Sequence, residues 1–178
     1  MVSLASTSPI FIFFVFLILF LGSAAFAGLR AAPWLPTRQR DVERMFQLSN
    51  VQPGELVMDL GAGDGRFLLH AVKQYQARAE GFEISLLPYL ASLWRLRGLA
   101  RSQAKMHFRD FFHQKLDQAD LIACFLTPKA MAKLEKKWLA EAKPGSRLVS
   151  YAFPFPNISP KKADKPDPKS GTVYLYIR

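Results

Sequence analysis

Charge is missing from the first 29 of the 178 residues, since no Asp, Glu, Lys or Arg stands before Arg30. All 24 basic and 14 acidic side chains, and with them the formal net charge of +10, therefore lie in residues 30–178. Cysteine is almost absent too. The single Cys124 excludes an internal disulfide and fits a reducing compartment. It stands in the apolar run "DLIACFLTP", where a small buried hydrophobe is its natural role rather than a nucleophile. His70, His107 and His113 have no metal-ligand spacing with one another or with Cys124, so no metal site is expected.

What fills the charge-free segment is "IFIFFVFLILFLGSAAFAGL", residues 10–29. About 20 apolar residues reach roughly 30 Å as a helix, enough to cross the hydrocarbon core of a bilayer. A cleaved leader is the competing reading, with Ala25-Phe26-Ala27 as a small-x-small cleavage site. The absence of Lys or Arg before Pro9 and the length of the run favour an uncleaved anchor over residues 1–29. Arg30, Arg38 and Arg40 follow it, which by the positive-inside rule puts residues 30–178 on the cytoplasmic side, with Trp34 as an interfacial anchor.

The remainder alternates strand and helix patterns, which predicts a parallel sheet with right-handed crossovers. "LVMDLGAG" is a buried strand and "DGRFLLHAVKQYQ" the helix after it. "ARAEGFEIS" ends a second strand at Glu83, "AKMHFRDFF" a third near Asp110, and "ADLIACFL" is a fourth. "SRLVSYAF" and "GTVYLYIR" read as a fifth and a sixth, while "KKADKPDPKS" between them reads as a solvated loop. In such open sheets the ligand sits at the carboxyl ends of the strands. Asp59 with its glycine turn, Glu83, Asp110 and the "CFLTP" corner all fall at such ends. The turn is G-x-G-x-G, and Arg66 stands where a dinucleotide fold needs a third small residue, which argues against NAD.

An acid two residues before G-x-G-x-G, then an acid ending the next strand 22 positions after Gly61, resembles the class I S-adenosylmethionine-dependent methyltransferases. With "APWLPTRQRDVERMFQL", "MDLGAGDGRF", "GFEIS", "LEKKWLAEAKPGSRLVSYAFPFPNISP" and "TVYLY", the chain is similar to the small membrane-anchored protein-lysine methyltransferases. That family acts on ADP/ATP carriers and the ATP synthase c-subunit, and it has prokaryotic relatives. The chain departs from the mitochondrial members after the second strand, with Ile84-Ser85-Leu86-Leu87-Pro88 where they have Asn-Pro.

The resemblance implies an α/β, Rossmann-like sheet with helices on both faces, preceded by one transmembrane helix. It implies S-adenosylmethionine held by Asp59, Gly61, Ala62, Gly63, Gly65, Glu83, Asp110 and Phe111. Glu83 would accept from the ribose hydroxyls and Asp110 from the adenine amino group, with Phe111 stacking or donating its amide. The acceptor is expected to be a lysine of a membrane-associated protein, entering an apolar channel of Phe125, Pro128, Phe153, Pro154 and Phe155. Thr127 and Tyr151 would orient the amine there, core packing being the alternative for Phe153 and Phe155. An RNA or small-molecule methyltransferase and a non-catalytic cofactor-binding membrane protein are the alternative functions. Nucleic acid is disfavoured because "FLTP" replaces the Asp/Asn-Pro-Pro-aromatic motif that receives a flipped base.

Overall fold

A computed structural model describes residues 8–15, 17, 18, 22 and 35–178. The expected anchor over residues 10–29 falls mostly outside the described residues. Residues 9–15, 17, 18 and 22 are helical, and among the described residues no helix is long and apolar enough to cross a membrane.

Seven strands form one sheet: β1 (Leu56–Leu60), β2 (Arg78–Glu83), β3 (Ala104–Phe108), β4 (Leu121–Cys124), β5 (Arg147–Tyr151), β6 (Lys162–Asp164) and β7 (Val173–Ile177). Their order is β3-β2-β1-β4-β5-β7-β6. The first five run parallel, with Asp59 beside Gly81 on one side and beside Ala123 on the other. Two expectations need correction. The sheet is mixed, because β7 enters antiparallel to β5 between β5 and β6. The charged "KKADKPDPKS" stretch is not all loop, since Lys162–Asp164 pairs with β7 as an edge strand. A short, charged strand on a sheet edge is what protects that edge from further pairing.

Four helices cover the sheet: α1 (Gln39–Ser49), α2 (Arg66–Tyr75), α3 (Leu86–Leu96) and α4 (Pro128–Glu141). Burial on both faces explains why β4 reads as a continuous apolar run and β1 as one broken only by Asp59. Val57, Ala79, Leu121, Val149 and Val173 point to one side, where Val42, Met45 and Phe46 of α1 and Phe67, Leu68 and Ala71 of α2 pack. Met58, Leu60, Phe82, Ile122 and Leu148 point to the other, against Met131, Leu134 and Trp138 of α4. Helices do lie on both faces, as expected. The chain leaves β1 toward β2 and β3 in one direction and returns to β4 and β5 in the other. The switch therefore falls between β1 and β4, where open α/β sheets form their ligand crevice.

Candidate cofactor and acceptor site

A cleft enclosing about 910 Å³, mouth included, opens at that switch. Asp59, Gly61, Ala62, Gly63, Glu83, Asp110, Phe111 and Phe125 line it. The glycine turn is shaped by its backbone: Gly61, Gly63 and Gly65 have φ of 87°, 54° and 75°, in the region that favours glycine. Gly65 then starts α2, and a Cβ on it would stand 3.0 Å from Ser92 Cβ of α3. The turn thus packs its helix closely, while its own amides bond within the fold: Gly61 N and Ala62 N donate to Phe82 O and Gly65 N to Ala62 O.

Glu83 is buried, and its carboxylate is fixed by main chain alone. Oε2 accepts from Gly63 N at 2.9 Å, and Oε1 from Ile84 N at 2.8 Å and Ser85 N at 2.7 Å. Three of about four lone-pair positions are filled, which leaves about one for a ligand hydroxyl. These bonds also tie the glycine turn to the end of β2. Asp110 Oδ1 accepts from Phe112 N at 2.9 Å, capping the short turn Phe111–His113 and placing Phe111 in the cleft wall.

Asp59 is the unusual group. It is 7 % exposed, and its carboxyl has no hydrogen-bond partner among the described residues. Burial first, then the charges of Glu83 and Asp64, raise its pKa from 3.8 to about 8. A buried acid of this kind, facing a cleft beside positive-φ glycines, fits a cationic ligand. S-adenosylmethionine carries both an ammonium and a sulfonium, so the residues present fit that group.

Several residues of the site were not anticipated. Arg66, which sequence reasoning used only as evidence against NAD, donates to Asp64 at 2.9 and 2.7 Å and to Thr37 O at 2.7 Å. Arg95 of α3 reaches the same Asp64 at 2.7 Å. Burial opposes ionisation of Asp64, but the hydrogen bonds and charge of Arg66 and the charge of Arg95 hold its pKa below the usual value. The clamp locks residues 35–37 against the glycine turn, so Leu35, Pro36 and Thr37 become a wall of the cleft. An acid two residues before an Arg at a helix start was the available signal. Gly81 was also missed: a Cβ there would lie 2.5 Å from Met106 Sδ and 2.8 Å from Ala62 Cβ.

The acceptor-side candidates are spread over four environments. Phe125 lines the cleft, its ring edge-on to Tyr151 at 5.0 Å between centroids. The Tyr151 hydroxyl meets Asp41 Oδ2 at 3.1 Å, and Asp41 is in turn bound by Arg44 at 2.8 Å. Thr127 caps α4 by accepting from Ala130 N at 3.4 Å, and Pro128 occupies the first turn. Phe155 is in the core, 4.6 Å from the Tyr176 ring and 5.6 Å from Trp138. Phe153 and Pro154 are on the surface, beyond a tight turn in which Phe153 N donates to Tyr151 O across Ala152 at φ 70°. Cys124 also lines the cleft, its thiol pKa pushed up by burial, which keeps it from acting as a thiolate.

Comparison with known proteins decides the kinship. The model of the ANTKMT methyltransferase domain matches residues 59–162. The chain belongs to this methyltransferase family. A protein-lysine N-methyltransferase of Saccharolobus islandicus (strain REY15A) is 32 % identical over 151 residues, covering 82 % of this chain and 92 % of that protein. The adenine nucleotide translocase lysine N-methyltransferase of Mus musculus is 34 % identical over 131 residues. It matches 72 % of this chain, which spans only 56 % of the mouse protein. Among solved structures, an RNA methyltransferase from Salinibacter ruber in complex with S-adenosyl-L-homocysteine superposes with a TM-score of 0.76 at 27 % identity. That match covers 80 % of this chain and 93 % of the other. The residues 59–162 shared with the family contain Asp59, the glycine turn, Glu83, Asp110 and Phe111, but not the wall formed by Leu35, Pro36 and Thr37.

Proposed function

We propose that this chain is an S-adenosylmethionine-dependent protein-lysine N-methyltransferase acting on a membrane-associated protein. The observation that carries the reading is the amide-fixed Glu83 facing the glycine turn and the unpartnered Asp59 within a family of lysine methyltransferases. When bound, S-adenosylmethionine supplies a methyl group that passes to the amine lone pair as the C–S bonding electrons return to sulfur. Asp59 offers a negative charge to a cationic ligand, and Glu83 offers its remaining lone pair to a hydroxyl. Leu35, Pro36, Phe125 and Leu126 wall the cleft with apolar surface. Desolvation there disfavours a lysine ammonium and so delivers the neutral amine, without a dedicated base.

The charge-free residues 1–29 and the following Arg30, Arg38 and Arg40 support an anchor with the folded part on the cytoplasmic side. A tether of this kind raises the effective concentration of acceptors in the same membrane. The purified chain, given labelled cofactor with membrane proteins and total RNA, is expected to label protein, at lysine by mass spectrometry. Removing residues 1–29 should keep cofactor affinity while methylation of membrane proteins falls. A second reading, with RNA as acceptor, rests on the description of the Salinibacter ruber protein. Label entering RNA instead would establish it, and label entering neither would overturn both.

A further inference from the structure

Helix α3 is built the wrong way round for a soluble surface. Its buried residues are Pro88, Ser92 and Leu96, a weakly apolar set. Its outward residues are Leu87, Leu90, Leu93 and Trp94, exposed by 43, 48, 44 and 67 %. At 3.6 residues per turn these four fall within an arc of about 120°, opposite the buried three. A surface helix ordinarily turns such a stripe inward and its polar residues outward. Phe108, 53 % exposed at the end of β3, extends the patch, its ring 5.2 Å from that of Tyr89.

Along the chain from the end of β2 through β3 the charge has one sign. Residues 84–109 contain Arg95, Arg97, Arg101, Lys105 and Arg109 and no Asp or Glu. Arg95 is committed to Asp64, and Lys105 lies beside Glu80 on the other face of the sheet, but Arg97, Arg101 and Arg109 are exposed. Arg97 lies over the Trp94 ring at 4.4 Å, on the apolar arc itself. Leucines with an outward tryptophan and exposed arginines beside them are the composition of a helix lying in a membrane interface. Nucleic acid would use the cations but not the leucines, which offer no flat face for a base to stack on.

We propose that the outer face of α3 lies in the headgroup region of an anionic bilayer, as a contact separate from residues 10–29. Helix α3 begins three residues after Glu83, and Ser85 before it lines the cleft. Docking this face therefore sets the cleft mouth at the membrane surface, whatever the methyl acceptor is.

Trp94 reports the contact directly. In the full chain carrying Trp34→Phe, the remaining tryptophans are Trp94 and the core residue Trp138, which is 2 % exposed. The protein is mixed with vesicles of phosphatidylcholine alone, or phosphatidylcholine with phosphatidylglycerol, each bearing a nitroxide high on the acyl chain. Trp94 should be quenched in the anionic vesicles, with the docked fraction at least about fivefold lower in the neutral ones, the change one basic side chain near the surface makes. Leu87→Glu, Leu90→Glu and Leu93→Glu together should abolish the quenching while S-adenosylhomocysteine still binds, which shows the variant is folded. No quenching in anionic vesicles would overturn the proposal, as would quenching that survives the three substitutions. Dilution-dependent shielding of Trp94 without lipid would assign the face to a second copy and overturn it equally.

Discussion

The carboxyl ends of β1 and β2 and those of β4 and β5 lie side by side, yet they treat their polar groups in opposite ways. At β1 and β2 the polar groups face the cleft: among the described residues Asp59 has no hydrogen-bond partner, and Glu83 is steadied by amides alone. At β4 and β5 they are consumed by neighbouring side chains and caps, with Tyr151 on Asp41, Asp41 on Arg44, and Thr127 on Ala130 N. What that second pair gives the cleft is the apolar Phe125 and Leu126. On the proposed function, the first half would hold a charged cofactor through its acids, and the second would keep water away from an acceptor. A group-transfer enzyme whose nucleophile needs only desolvation can be built from such unequal halves.

The sharpest way to break this contrast is Glu83→Ala. The substitution removes a charge-assisted hydrogen bond to the ligand and leaves the amides of Gly63, Ile84 and Ser85 without their acceptor. Cofactor affinity should fall by about 2–4 kcal/mol, roughly 30- to 1,000-fold. Calorimetry with S-adenosylhomocysteine measures it, and an unchanged affinity would remove Glu83 from the site.

An effect on stability, not affinity, distinguishes Asp59 from an ordinary buried acid. Its pKa rises from 3.8 in the unfolded chain to about 8 in the folded one, through burial and then the charges of Glu83 and Asp64. Between those values the folded state holds a proton that the unfolded state has lost. Stability without cofactor should therefore be full below the lower value and decline as pH rises toward the upper one, by about 1.4 kcal/mol per pH unit. Asp59→Asn should flatten that slope in denaturant titrations across the window. A cationic ligand reverses the balance by favouring the carboxylate, so binding should release a proton, seen as a buffer-dependent binding enthalpy. Equal slopes in the two proteins would show that Asp59 is ionised throughout.

Some of this contrast was legible in the residues and some was not. Gly61, Gly63, Gly65 and Glu83 could be read because a tight strand-to-helix turn leaves a local mark, positions that only glycine tolerates. Gly81 left no such mark, since its reason is the approach of Met106 and Ala62 from elsewhere in the chain. Arg66 was read for what it displaced, while its partners Thr37 and Asp64 are brought to it by tertiary packing. Alternation identified β7 but could not give its direction, and charge hid β6 altogether. In α3, helical periodicity by itself gives which residues share a face but not which face turns inward. Between Phe153 and Phe155 the deciding element was the turn at Ala152, which leaves one ring on the surface and returns the other to Trp138.

Tyr151→Phe tests the other half, with the smallest effect. The phenol is half-buried, and its pKa is raised by burial first and then by the charge of Asp41, so it stays protonated and can donate to that carboxylate. Removing the hydroxyl costs its bond to Asp41 and its contact with the Gly171 backbone, together about 1 kcal/mol, and Asp41 keeps Arg44 at 2.8 Å, so no charge is left unpaired. For a chain of this size that lowers Tm by about 3 °C. The ring itself remains to support Phe125 from the side, so the cleft wall keeps its shape. Turnover should accordingly stay within about twofold of the parent, well under the tenfold that 1.4 kcal/mol of lost transition-state contact would give. If turnover instead drops by more than tenfold while Tm holds, the hydroxyl leaves Asp41 for the incoming amine, and the polar groups of the β5 end belong to the chemistry after all.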